Sequence, residues 1–160
     1  MKRNTLLTIT CILFFASVTK AQTPSAKEMV EKNWAGYSEQ SANFTRSGKL
    51  QLRQTIKLTL NSDNSVYGEA YTRMTLDGIS YTNRSVITGT FYPSNWSVYI
   101  QQGNVLSADA LPNGLRWCKG YGTLTFYKNE THPGYYLFKG DLSNDCGSSN
   151  TIEYTDYNSY

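Results

Sequence analysis

The chain has 160 residues, 14% of them aromatic, and a formal net charge of +3. Its length suits a single domain. The surplus charge sits at the start, where Lys2, Arg3 and Lys20 are unaccompanied by any acid; from Gln22 onward 12 bases face 12 acids. That balance excludes electrostatic capture of nucleic acid or of an anionic membrane as the organising principle.

The first 21 residues carry a targeting pattern. Lys2 and Arg3 precede an apolar run over 6–18, and Thr19-Lys20-Ala21 supplies the small-residue site. A basic flank, a short apolar segment and a cleavage site together predict a secretory signal peptide over 1–21 and a secreted or periplasmic protein. The run of 13 residues is shorter than the ~20 needed to span a bilayer. No membrane span is expected after cleavage. Removing the segment takes Cys11 with it and leaves Cys118 and Cys146. One intramolecular pairing is then available, and an oxidising compartment favours it over two buried thiols. Closing a loop of that length restricts the unfolded chain by an amount on the order of 3 kcal/mol.

The next segment, 22–33, reads as a short helix. Thr23 or Ser25 can cap it, Pro24 suits its first turn and Glu28 lies near its positive end. Two turns are unstable alone, so the helix either covers an open end of a sheet or frays. After Trp34 the apolar period becomes two. Residues 50–60 alternate almost without exception, with Leu50, Leu52, Ile56, Leu58 and Leu60 on one face and Lys49, Arg53 and Lys57 on the other. Residues 61–64 form a turn. Residues 66–76 follow, with Val66, Gly68, Ala70, Thr72, Met74 and Leu76 on one face and Tyr67, Glu69, Tyr71 and Arg73 on the other. Asp77-Gly78 predicts a tight hairpin. Further strands read at 79–84, 86–92, 96–101, 115–127, 134–142 and 151–157. Turns fall at 93–95 and 102–104, and a loop at 105–114. About eight strands with short links and no crossover helix predict an all-β domain over 34–160. It would be an antiparallel up-and-down barrel, with a β-sandwich as the alternative.

The stretch Lys32-Asn33-Trp34-Ala35-Gly36-Tyr37, following a short helix and opening a meander of long strands, resembles the calycin group of barrels, the lipocalins and avidins. Their first strand often opens Gly-X-Trp, with the tryptophan plugging the barrel base; here Lys32 stands at the glycine position. Together with Arg116-Trp117-Cys118 and Asn144-Asp145-Cys146-Gly147, the pattern also resembles small secreted bacterial proteins that pair cysteines near their last strands. The resemblance implies a binding barrel. Fold analogy does not by itself assign a ligand.

Catalytic constellations are sparse. His132 is the one histidine and adjoins Pro133-Gly134 in a turn, a poor setting for an oriented base. One histidine and two cysteines expected to be bonded leave the usual zinc sets unfilled. The polar runs Asn61/Asp63/Asn64 and Asp141/Asn144/Asp145 read as turn chemistry, so neither metal nor cofactor is expected. Glu69 and Asp141 are the acids a glycosidase would need. The aromatics are the unusual feature, since tyrosine and tryptophan offer an apolar face with a polar handle. Trp34, Tyr67, Tyr71, Trp96, Tyr99 and Trp117 are the candidate ligand-contacting residues. A cross-strand ladder of Tyr67, Tyr71 and Tyr81 is one arrangement they allow. The leading reading is a secreted, non-enzymatic binding protein for a small apolar molecule or a glycan. A surface module that binds a protein partner, such as an inhibitor or adhesion subunit, is the alternative. A carboxylate hydrolase is the second alternative. Whether the barrel interior is hollow decides among them.

Overall fold

Two turns set the frame of the fold. Asp77 and Gly78 both take positive φ, 48° and 85°, the geometry whose twist suits a two-residue hairpin. The turn at 61–64 is tied by Asp63, whose carboxylate accepts from the Ser65 amide (3.0 Å) and hydroxyl (2.6 Å). Period-two segments on either side then pair along their whole length. The structure, a computed structural model, describes residues 23–41, 45–112 and 114–156. The expected signal peptide lies outside them.

The described residues form one short helix and eight strands. These are α1 (Ala26–Val30), β1 (Asn33–Ser41), β2 (Lys49–Leu60), β3 (Ser65–Leu76), β4 (Ile79–Tyr92), β5 (Ser97–Ala108), β6 (Gly120–Lys128), β7 (Tyr136–Asn144) and β8 (Ser149–Thr155). Each strand pairs antiparallel with the next, and β8 returns to β1, giving a closed up-and-down barrel. That return excludes the sandwich. The sequence reading placed a break at Ser85, but β4 runs through it. There β5 carries extra residues, and the register shifts between Arg84 and Ser85 and again between Ser85 and Ile87. Gln102-Gly103-Asn104, expected as a turn, therefore belongs to an irregular β5 that continues to Ala108. Bulges re-aim a strand without ending it.

Helix α1 is shorter than 22–33 because the chain enters β1 at Asn33. Ser25 caps it reciprocally: its hydroxyl accepts from the Glu28 amide (3.2 Å), and its amide donates to the Glu28 carboxylate (2.7 Å). Met29 and Val30 are buried against the end of the barrel. The Trp34 indole N–H donates to the Val30 carbonyl at 3.4 Å. Lys32 pairs with Asp156, which also accepts from the Tyr136 amide (2.7 Å) and so ties the helix end to the β7 and β8 termini.

The interior has two unlike halves. Under α1, Trp34 is fully buried, with its ring centroid 5.4 Å from Phe126 and 5.2 Å from Phe138, which stack on each other at 4.4 Å. Leu58, Val66, Phe91 and Val98 complete this filled half. Gly68 and Gly89 mark how tightly the sheet curls. A Cβ on either would lie 1.9 Å from the Lys57 carbonyl or 2.0 Å from the Tyr99 carbonyl, so a neighbouring backbone occupies that space. Gly68 and Ala70 face Leu58 and Ile56, so small residues interdigitate with large ones here. Arg53, Lys57, Glu69, Arg73 and Arg84 alternate with the core residues and face outward, the reverse of a lipid-facing barrel. No helix among the described residues is long and apolar enough to cross a membrane.

Trp34→Ala is expected to cost about 3–5 kcal/mol, because the aromatic stack cannot collapse into the space left. Tyr71→Ala on the outer face should stay within about 0.5 kcal/mol of the parent. Urea unfolding followed by circular dichroism checks both; equal effects would show that the Trp34 stack is not the stability centre.

Candidate functional site

The other half of the barrel is hollow. A cavity of about 610 Å³ opens at the end away from α1, within the ~300–1,000 Å³ typical of small-molecule sites. More of its exposed wall is apolar than polar, and Leu52, Ile56, Met74, Ile87, Ile100 and Leu142 are among the aliphatic residues in it. These side chains come from β2, β3, β4, β5 and β7 through the period-two alternation that also builds the filled half.

A polar girdle climbs the cavity wall from Tyr154, which packs on the aromatic core, toward the mouth. Tyr154 on β8 lies opposite Gly36 on β1, Gly36 opposite Gln54 on β2, Gln54 opposite Thr72 on β3, and Thr72 opposite Asn83 on β4. The Tyr154 hydroxyl donates to the Gln54 side-chain carbonyl, and the Gln54 amide donates to Thr72 Oγ1 at 2.7 Å. Burial pushes the Tyr154 phenol above its ordinary range, so it stays protonated and remains a donor. Gly36 permits this contact, since a Cβ there would lie 2.7 Å from the Tyr154 ring and 2.9 Å from the Glu153 carbonyl. On the far side, Gln102 Oε1 accepts from the Gly120 amide at 2.7 Å, just where the β5–β6 ladder ends at Gln101–Tyr121.

A strap of residues 109–112 and 114–119 crosses the mouth. One end is pinned to β4: the Asp109 carboxylate accepts from the Thr82 amide (2.7 Å) and hydroxyl (2.9 Å), and the Asp109 amide donates to the Thr82 carbonyl (2.9 Å). The other end is bonded to the β7–β8 turn by the Cys118–Cys146 disulfide. Around that bond, Asp145 Oδ1 accepts from the Lys119 amide (2.8 Å), and Arg116 donates to the Asp145 carbonyl (2.9 Å). Leu111, Leu115 and Trp117 border the cavity from the strap, and the Trp117 indole donates to the Asp109 carbonyl at 2.9 Å. Beside it, Asp77 accepts from the Arg46 and Ser47 amides, both at 2.9 Å, joining two hairpin tips at the rim. Those two amides hold its carboxyl below the ordinary range.

The six sequence candidates do not share one place. Trp34 lies under the cavity in the filled half, and Trp117 borders its mouth. Trp96 sits in the β4–β5 turn at the closed end, its ring edge-on to Phe91 with centroids 6.1 Å apart. Tyr67 and Tyr71 are exposed on the outer face of β3, and Tyr99 alternates with the inward Val98 and Ile100 on β5. Tyr81 pairs with Met74 on the inner side, so no ladder forms with Tyr67 and Tyr71. The acids are also apart. Glu69 accepts two bonds from Arg84 (2.7 and 2.9 Å), which hold its carboxyl below the ordinary range, and Asp141 accepts from the Thr151 hydroxyl (2.6 Å). They occupy exposed outer positions on β3 and β7, strands that are not neighbours. Cys118, Cys146 and Asp145 cluster within 4.8 Å, but both sulfurs are committed to the disulfide. His132 sits in the β6–β7 turn, its Nδ1 3.1 Å from the Thr131 hydroxyl.

The sequence reading did not single out Gln54, Thr72, Asn83 or Gln102. A signal was present for two of them: Gln54 and Thr72 each interrupt an apolar alternation. No protein-family model matches the chain, and no curated protein or solved structure is significantly similar to it.

Replacing both cysteines by serine should lower stability by an amount on the order of 3 kcal/mol. Hydrogen exchange should accelerate most at residues 114–119 and 145–148, with Trp34 and Phe138 accelerating by no more than the fall in global stability requires. Equal loss of protection throughout would show that the disulfide supports the whole barrel rather than the strap.

Proposed function

We propose that the protein is an exported, non-enzymatic carrier that holds a small apolar molecule inside the barrel. The observation that supports this reading is the cavity: about 610 Å³ with aliphatic side chains from five strands in its wall, in a barrel whose other half is densely filled. A chain that needed only stability could fill both halves, as small barrels commonly do. The aliphatic wall favours an apolar molecule over a glycan, because sugar binding draws on flat aromatic faces and dense hydrogen bonding. The tyrosines that could offer such faces, Tyr67 and Tyr71, stand outside. Export is supported by the tripartite pattern ending at Ala21 and by the disulfide, which persists in oxidising compartments. The resemblance to calycins points the same way.

The neutral dye N-phenylnaphthylamine should bind the protein at one site with a rise in emission. Leu52→Trp, which fills the cavity from its wall, should weaken that binding by at least about tenfold, a change near 1.4 kcal/mol. Tyr67→Ala should leave it unchanged. Absence of dye binding, or loss on Tyr67→Ala alone, would move the function to the outer surface.

Mass analysis of the N-terminus of protein recovered outside the cytoplasm should find Gln22 first. A product that retains residues 6–18, or one lipidated at Cys11, refutes processing after Ala21.

A further inference from the structure

The girdle on the cavity wall is incomplete as a hydrogen-bond network. Tyr154 donates to Gln54, and Gln54 donates to Thr72. The chain stops there. Thr72 keeps its own hydroxyl proton to donate. Asn83, its partner across the β3–β4 ladder, borders the cavity and is 94% buried at 6% exposure, and its amide has no hydrogen-bond partner among the described residues. One inward position further along β4, the Ser85 hydroxyl is fully buried and also unpartnered. The Asn83 amide faces the open cavity and makes no bond to the fold, so a leucine of similar shape would serve the barrel as well. An amide that the barrel itself does not use, aimed into a cavity, points to a polar atom supplied from outside.

The charge of that atom follows from the surroundings. Among the described strand residues that border the cavity, no acidic or basic side chain occupies an inward position. Of the charged residues bordering the cavity, Arg116 lies in the strap and Glu153 faces outward toward Lys139, and both are exposed. A carboxylate or ammonium carried to the girdle would lose its water and meet no counter-charge. A hydroxyl, carbonyl or carboxamide would meet a hydroxyl donor from Thr72 and both a donor and an acceptor from Asn83.

We propose that Thr72 and Asn83 form a head-group subsite on the cavity wall, close to the pinned end of the strap, for the uncharged polar group of an otherwise apolar ligand. The tail then lies along the aliphatic residues deeper in the cavity, Ile56, Ile87 and Ile100. This assignment rests on the carrier reading above and narrows it from any apolar molecule to a neutral amphiphile.

The test is displacement of N-phenylnaphthylamine by decanol, decanamide, decanoate and decylamine at neutral pH, on the parent and on Asn83→Leu. On the parent, decanol and decanamide should displace the dye at concentrations at least about tenfold lower than the two charged amphiphiles, a difference near 1.4 kcal/mol. Asn83→Leu should weaken decanamide by about tenfold, with each displacement referred to that protein's own dye affinity. The same substitution should leave the thermal midpoint unchanged or raise it, because the fold makes no bond to that amide. Equal displacement by all four heads, or a preference for decanoate, would overturn the subsite while leaving the carrier reading intact. A large drop in the midpoint of Asn83→Leu would equally overturn it, since the amide would then serve the fold. If the dye does not bind the parent protein, the carrier reading fails, and the subsite with it.

Discussion

The hydrogen bond from Tyr154 to Gln54 passes over Gly36, and much of the structure depends on that passage. The β1–β8 seam that closes the barrel contains only two register pairs, Ala35–Thr155 and Gly36–Tyr154. So short a ladder leaves the closure to side chains. Tyr154 spans from β8 across β1 to β2, which it can do because Gly36 has no Cβ in the way. The ring beneath that hydroxyl packs near Phe138 (centroids 6.2 Å apart) and so belongs to the aromatic core, while the hydroxyl itself looks into the cavity. One residue thereby closes the sheet, caps the filled half and begins the polar girdle of the hollow half.

The division of the interior into two halves separates stability from binding. Aromatic rings under α1 bury large areas with a defined mutual geometry, so the fold does not need the upper half to be solid. The upper half is then free to remain open, with its rim held by groups that cost little volume. These are the Asp77 clamp on Arg46 and Ser47, the Asp109 clamp on Thr82, and the disulfide that anchors the strap. All three tie backbone segments together across the mouth, where β5 beyond Gln101 no longer pairs with β6. Local tethers replace the missing ladder and keep the strap in position over the cavity.

The outer tyrosines show why composition misdirects a search for the site. A tyrosine on the wet face of a strand packs its ring along its neighbours and points its hydroxyl at water, so an aromatic-rich barrel acquires many of them without any ligand. Tyr67 and Tyr71 fit that description on β3, and Lys139 lies 4.9 Å from the Tyr127 ring in the same manner on β6 and β7. The residues that line the cavity are ordinary core types, indistinguishable in kind from those that fill the other half. Composition has no means of telling a wall from a core, because both are apolar residues at inward positions.

Much of the fold was legible in the chain, and part of the site was as well. Period-two alternation named the inward faces of β2 and β3, Asp77-Gly78 fixed the hairpin between β3 and β4, and the count of cysteines left after the signal segment named the disulfide. The same hairpin register places Thr72 opposite Asn83, whereas the Gln54–Thr72 pairing rests on the Leu60–Val66 register that the structure sets. Part of the girdle was therefore implicit in the positions of polar residues that interrupt apolar alternation, although attention to aromatics passed over it. Tertiary structure alone decided three things: that β8 returns to β1, that β4 continues through a bulge at Ser85, and that the interior is filled at one end and hollow at the other. The reason is physical. Local turns and side-chain period act between residues near in sequence and specify each hairpin. Whether opposite walls meet depends on the volumes of side chains from all eight strands and on the curl that Gly68 and Gly89 allow, quantities that no single segment contains.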